Sequence, residues 1–120
     1  MNALSERCLK IAELNDAFRH DCTSEVALQH GCLLITRGVH ALGPSSLQQV
    51  LAAVAGFDAF TEANDPHKEH DFGSVEVCGE TIFWKIDTYQ KGSDFLMGAE
   101  APDDPGATDR VLTIMLAEEY

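Results

Sequence analysis

The amino-acid sequence predicts an α+β fold, with two or more helices packed on a small, largely antiparallel sheet of about four strands. Three observations predict it. Apolar residues recur at helical spacing in two segments of the first half, two alternating runs flank a glycine near residue 79, and the run Val111 to Ala117 is apolar on both parities. At 120 residues with 45% hydrophobic side chains, the chain has the length of a single domain, 1–120, and the apolar content to build a core without staples.

Leu4, Cys8, Ile11, Ala12, Asn15 and Phe18 place a helix over Ser5 to His20, with Ser5 as N-cap and Glu6 in the first turn, where the helix dipole favours an anion. Cys32-Leu33-Leu34-Ile35-Thr36, closed by Gly38, reads as a buried strand with Cys32 pointing into the sheet. Gly43-Pro44-Ser45-Ser46 then opens a second helix, because a first turn tolerates proline, and Leu47, Val50, Leu51 and Val54 mark one face of it up to Gly56.

Gly79-Glu80 suits the centre of a type II′ hairpin turn. Pairing outward from it sets Val77 opposite Ile82 and Val75 opposite Trp84 on one face, with Glu76 opposite Phe83 and Ser74 opposite Lys85 on the other. A slip of one residue would send Trp84 and both valines to the wrong face, so the parity is strongly specified. Val111 to Ala117 reads as a central strand, leaving Glu118, Glu119 and Tyr120 at its exposed end. The connection from Lys91 to Asp109 shows little structure of its own, and loops of that length in compact domains carry function or move.

The charge narrows the function classes. Twenty acidic and 8 basic side chains, with 5 histidines, give a formal charge of -12, and the isoelectric point is near 4.5. Residues 61–120 hold 14 of the acids and 4 of the bases. Too few Lys and Arg remain to neutralise a run of phosphates, which argues against direct binding to nucleic acid or an anionic membrane and makes a basic protein the natural complement. Charges at Glu6, Arg7, Lys10 and Glu13 interrupt any signal-peptide core, and Val50 to Phe57 is too short to span a bilayer. Cys8, Cys22, Cys32 and Cys78 contain no CxxC pair and read as reduced, mostly buried cysteines of a cytoplasmic protein. There is no phosphate-binding loop, nucleophile elbow, HExxH helix, EF-hand loop or internal repeat.

Two clusters carry metal-binding side chains. Asn64-Asp65-Pro66-His67-Lys68-Glu69-His70-Asp71 gathers imidazoles and carboxylates, and His67, His70 and Asp71, with Glu69, would suit a metal-dependent hydrolase or nuclease. The spacing matches no recognised ligand set, so the preferred reading is an acidic loop in which Asn64 or Asp65 caps a turn and His70 bonds locally. His20, Cys22, His30 and Cys32 are the donor types that tetrahedral zinc takes, but a core-facing Cys32 and a His20 at a helix C-terminus favour structural roles. Cys78 lacks a base in sequence reach, and Trp84 shares its parity with Val75, Val77 and Ile82, so both read as structural. No metal and no cofactor are expected.

Phe95-Leu96-Met97 differs in kind. It is a short apolar run among Asp94, Glu100, Asp103 and Asp104, the pattern of a binding hot spot ringed by steering charge; alternatively it plugs the sheet edge.

The strings AELNDAF (12–18), FDAFTEANDPHKEHDFGSVEVCGETIFWKID (57–87) and RVLTIMLAEEY (110–120) together resemble a family of small alphaproteobacterial proteins known only as a domain of unknown function. The resemblance covers most of the chain, with EHDFG, FWKID and LTIMLAEEY its most specific parts. It implies a bacterial origin and frequent residence on plasmids and prophages, with no assigned activity or catalytic residues. His20 to Cys32 departs from the family pattern.

Acidity, missing catalytic motifs and this resemblance together lead to a first expectation, a non-enzymatic inhibitor carried by a mobile element, of the anti-CRISPR or anti-restriction type. It stands ahead of the metal-dependent hydrolase or nuclease and of a ligand-free scaffold whose charge serves only solubility. The inhibitor would mimic nucleic-acid charge and block a basic nucleic-acid-binding subunit of a host defence complex. The expected contacts are Asp65, Glu69 and Asp71 in one loop, Asp94, Phe95, Glu100, Asp103 and Asp104 in another, and Glu118 and Glu119 at the tail.

Overall fold

The computed structural model describes residues 3–29 and 31–120. Along the chain run α1 (Ala3–His20), α2 (Glu25–Leu28), β1 (Gly31–Ile35), α3 (Arg37–His40), α4 (Pro44–Ala55), β2 (Phe72–Val77), β3 (Glu80–Gln90) and β4 (Thr108–Leu116), followed by a 3-10 turn at Ala117–Glu119. The strands form one sheet in the order β1-β4-β3-β2, antiparallel except where β1 runs parallel to β4. The architecture is α+β. No helix among the described residues is long and apolar enough to cross a membrane.

β4 is central because both of its faces are apolar. Leu112, Ile114 and Leu116 lie opposite Ile86, Trp84 and Ile82 of β3 and join the main core, while Val111 and Met115, of opposite parity, are buried as well. α4 closes the core over β2, with Val50 and Val54 one turn apart and fully buried. Full burial of side chains of this size contributes about 1.5–3 kcal/mol each. Trp84 sits at the middle, with the Phe57 and Phe60 rings edge-on at 5.5 and 6.1 Å. Gly73 is its cross-strand partner, and a Cβ at residue 73 would lie 2.5 Å from Trp84 Nε1. The tryptophan therefore dictates the glycine.

The hairpin keeps the predicted faces but not the predicted partners. Val77 pairs with Glu80, Val75 with Ile82 and Gly73 with Trp84, so the turn is Cys78-Gly79 rather than Gly79-Glu80. Both turn residues have positive φ, 53° and 79°, the signature of a type I′ turn, whose twist matches that of its strands. The shift moves every partner by two positions, which preserves parity. Cys78 is thus in the turn itself and exposed.

Other boundaries also moved. α1 begins at Ala3, which places Ser5 inside the helix instead of at its cap. β4 begins at Thr108 and ends at Leu116. Cys32 is half-buried, and its neighbours Leu33 and Ile35 are the β1 residues that pack on the main core. The unpredicted α2 is a single turn capped by Ser24, whose hydroxyl accepts the Ala27 N–H at 3.1 Å. On the outer face of the sheet, Tyr120 packs edge-on against Phe72 and Phe83 at 5.9 and 5.7 Å.

Candidate partner-binding surface

The long connection between β3 and β4 is built, not slack. At its tip, the Gln90 N–H donates to Met97 O at 2.8 Å, Ser93 Oγ donates to Gln90 O at 2.7 Å, and Leu96 N–H donates to Ser93 O at 3.2 Å. Asp94 and Phe95 close this turn with φ of 55° and 61°, a left-handed conformation that costs a bulky residue about 1–2 kcal/mol. At its base, three consecutive carbonyls each receive a side-chain donor: Glu100 O from Arg7 at 2.8 Å, Ala101 O from Thr108 Oγ1 at 2.7 Å, and Pro102 O from Arg110 at 2.5 Å. The loop is thereby tied to α1 and to β4.

This construction holds apolar side chains out in water. Leu96 is 83% exposed, Met97 58% and Phe95 42%, the last with its ring edge-on to Tyr89 at 5.8 Å. The side chains do not plug the sheet edge, but the backbone covers it: Met97 O accepts the Gln90 N–H, Gly98 bridges Tyr89, and the Ala99 N–H donates to Thr88 O at 3.2 Å. Asp94, Glu100 and Asp104 flank them and are exposed. Asp104 also accepts the Gly106 N–H at 2.9 Å, which closes a turn, and Asp103 is half-buried in an ion pair with Arg7 at 3.2 Å.

The remaining acids divide between surface and interior. Asp71 and Glu118 are exposed and Glu69 is half-buried. Desolvation first, then repulsion by Asp71, pushes the Glu69 carboxyl above its ordinary range, and Asp71 moves the same way. Glu119 lies outside but is engaged: its carboxylate accepts from Thr36 Oγ1 at 2.6 Å, Leu116 N at 2.8 Å and Gly38 N at 3.0 Å. These bonds, that of Thr36 foremost, hold it below the usual carboxylate range. Asp65 corrects the sequence reading outright. It is 5% exposed and turned inward, accepting the His70 N–H at 3.3 Å, so it offers nothing to a partner.

Asp65 belongs instead to a polar cluster under α1. His70 Nδ1 lies 2.9 Å from Asp16 Oδ2 and its Nε2 3.6 Å from Asp65 Oδ2, while its ring stacks flat on Phe60 at 3.8 Å. Asp16 also pairs with Arg19 at 3.2 Å. His70 thus bonds to α1 and is not confined to its own loop. With both ring nitrogens beside carboxylates, it is taken up by structure, while His67 is exposed and acts electrostatically on Glu69 and Asp71. No three His, Cys, Asp or Glu side chains among the described residues come together as a metal site, so His67, His70 and Asp71 are not brought together as a ligand set. Of the second cluster, Cys22 is buried, which pushes its thiol pKa up, His20 is exposed, and His30 lies outside the described residues.

The basic residues are what sequence reasoning missed. Arg19 and Arg110 are 1% and 5% exposed. Arg7, Lys10, Lys85 and Lys91 pair with Asp103, Glu13, Asp87 and Asp109 at 3.2, 3.9, 3.0 and 3.5 Å. The surface pairs leave the charge balance unchanged, and two arginines but one acid, Asp65, are buried among the described residues, so the exterior stays strongly acidic. Phe18 beside Arg19 and Val111 beside Arg110 hint that both arginines lie on apolar elements, but nothing local shows that they point inward.

Fold and surface define a small acidic α+β domain with a hydrogen-bonded, exposed apolar tip. A family described as Protein of unknown function (DUF3768) matches residues 35–119, and the chain belongs to that family. No curated protein sequence matches the chain, and no solved structure does.

Proposed function

We propose that this DUF3768 protein is a non-enzymatic acidic binding protein that seats Phe95-Leu96-Met97 on a basic, nucleic-acid-binding surface of another protein and competes there with nucleic acid. The observation that carries the reading is the tip itself, where a hydrogen-bonded turn spends backbone strain to hold three apolar side chains in water among carboxylates. Leu96 and Met97 supply contact area, while Asp94, Glu100 and Asp104 select a basic partner and speed encounter. Asp71 and Glu118 extend the acidic field. Burial of Arg19 and Arg110 takes two cations from the surface against one anion, Asp65, and favours the same partner. The target class is a nucleic-acid-binding subunit of a host defence complex, of the CRISPR or restriction type, in keeping with the mobile-element association that the sequence resemblance implies.

The test is capture from cells that carry CRISPR–Cas and restriction systems, followed by binding measurements on the captured subunit. Affinity should fall steeply with salt, DNA should compete, and joint charge reversal at Asp94, Glu100 and Asp104 should abolish binding. Binding that ignores salt, DNA and charge reversal would sink the proposal.

A further inference from the structure

A cavity of about 200 Å³ opens between α1, α2, the start of β4 and Pro105 at the base of the β3–β4 connection. Its walls are mostly hydrocarbon, from Leu14, Ala17, Phe18, Val26 and Ala27, and Arg110 lines it from β4. Arg110 is 5% exposed, and no carboxylate among the described residues pairs with it. Its Nε donates to Asn15 Oδ1 at 2.7 Å and one terminal nitrogen to Pro102 O. A guanidinium carries five N–H donors, so most of its donor capacity is unused. Loss of water with no compensating anion lowers its pKa to about 10.

Buried charges in proteins are ordinarily paired, because an isolated ion in an apolar setting costs several kcal/mol. Arg19 obeys that rule through Asp16. Arg110 does not, and it lines a hydrocarbon-walled cavity. We propose that this cavity binds a small monocarboxylate with a short apolar body, the carboxylate on the Arg110 guanidinium and the hydrocarbon against Leu14, Phe18 and Ala27. Guanidinium geometry suits a carboxylate, which it engages through two parallel N–H bonds. The volume equals that of about seven waters, which admits a short aliphatic or single-ring acid and little more. A phosphate matches the charge but not the walls: it has no apolar body to bury, and Asp21, which also lines the cavity, repels a second negative charge.

The cavity takes Pro105 from the base of the β3–β4 connection but none of the tip residues 94–97, so binding there is tested independently of the proposed function. The test titrates the full chain with hexanoate and with benzoate, using hexanamide and benzamide as neutral isosteres and inorganic phosphate as the hydrophilic anion. Thermal unfolding and backbone amide chemical shifts are the readouts. Both carboxylates should raise the unfolding midpoint in a concentration-dependent way and produce saturable shifts at Ala17, Val26, Ala27 and Arg110. The amides and phosphate should do neither. Ala17→Leu keeps a good helix former and leaves Arg110 in place while filling the cavity, and should weaken binding at least about tenfold. Arg110→Lys should weaken it too, by losing the paired donors; if that variant fails to fold, Ala17→Leu decides. Absence of saturable binding, equal binding of the amides, phosphate shifts at the same residues, or unchanged binding in Ala17→Leu would each overturn the proposal.

Discussion

The Arg19 guanidinium carbon lies 4.8 Å from the centroid of the Trp84 ring, and the same group donates from Nε to Val54 O at 3.1 Å and from a terminal nitrogen to Phe57 O at 2.8 Å. One side chain of α1 therefore satisfies carbonyls at the C-terminal end of α4 and just beyond it, and covers the central tryptophan. A cation on an aromatic face contributes more when removed from water, and the two carbonyls lose their donors if it goes. Arg19→Ala should cost about 3–5 kcal/mol, as for other buried pairs broken from one side. Arg19→Lys should recover only part of that, because an ammonium lacks the planar fork. Urea denaturation followed by Trp84 fluorescence measures both.

How much of this was legible beforehand depends on the range of the interactions. The faces of β2 and β3 were readable because alternation is a local property, and Trp84 fell in the core as its parity demanded. The exact partners were not, since they hinge on Cys78 accepting a left-handed conformation that glycine more commonly takes. α2 and α3 are four residues each, too short to show a period. Asp65 looked like one more surface acid; its burial depends on His70 and on the cluster that His70 makes with Asp16 of α1. Arg110 meets Asn15 across 95 positions, a distance at which no sequence pattern speaks.

The Cys78-Gly79 turn invites improvement. Cysteine at φ 53° is strained, and asparagine tolerates that region and forms the preferred Asn-Gly pair of type I′ turns. Its thiol gives up only long contacts, to Ser46 Oγ at 3.5 Å and Gln49 Oε1 at 3.6 Å. Cys78→Asn should therefore stabilise the fold by about 0.5–1 kcal/mol, read as a rise in the urea midpoint at constant slope.

Leu96 and Met97 separate stability from recognition. Both project into water, so replacing the pair with serine should change the folding free energy by no more than about 0.5 kcal/mol. The same replacement should weaken partner binding by about 30-fold or more if the tip is a hot spot worth roughly 2 kcal/mol. A large loss of stability with intact binding would assign these residues to the fold instead.

Glu119 and Glu69 should respond to acid in opposite directions. In the folded chain Glu119 titrates below its ordinary range, so between the two values the unfolded state holds more protons and stability rises with pH. Its contribution is complete above the ordinary carboxylate range and is lost as pH falls through the lower, folded value. Glu69 titrates above its ordinary range when folded, so its ionisation works against folding as pH rises through that window. Glu119→Ala should thus lower the urea midpoint most near neutral pH, with the gap to the parent narrowing in acid. Glu69→Gln, which keeps the backbone carbonyl that accepts from Asn15 at 2.9 Å, should raise the midpoint near neutral pH, and that gain should shrink as the parent's own Glu69 protonates. Parallel pH profiles for the parent and both variants would show that neither carboxylate is coupled to folding.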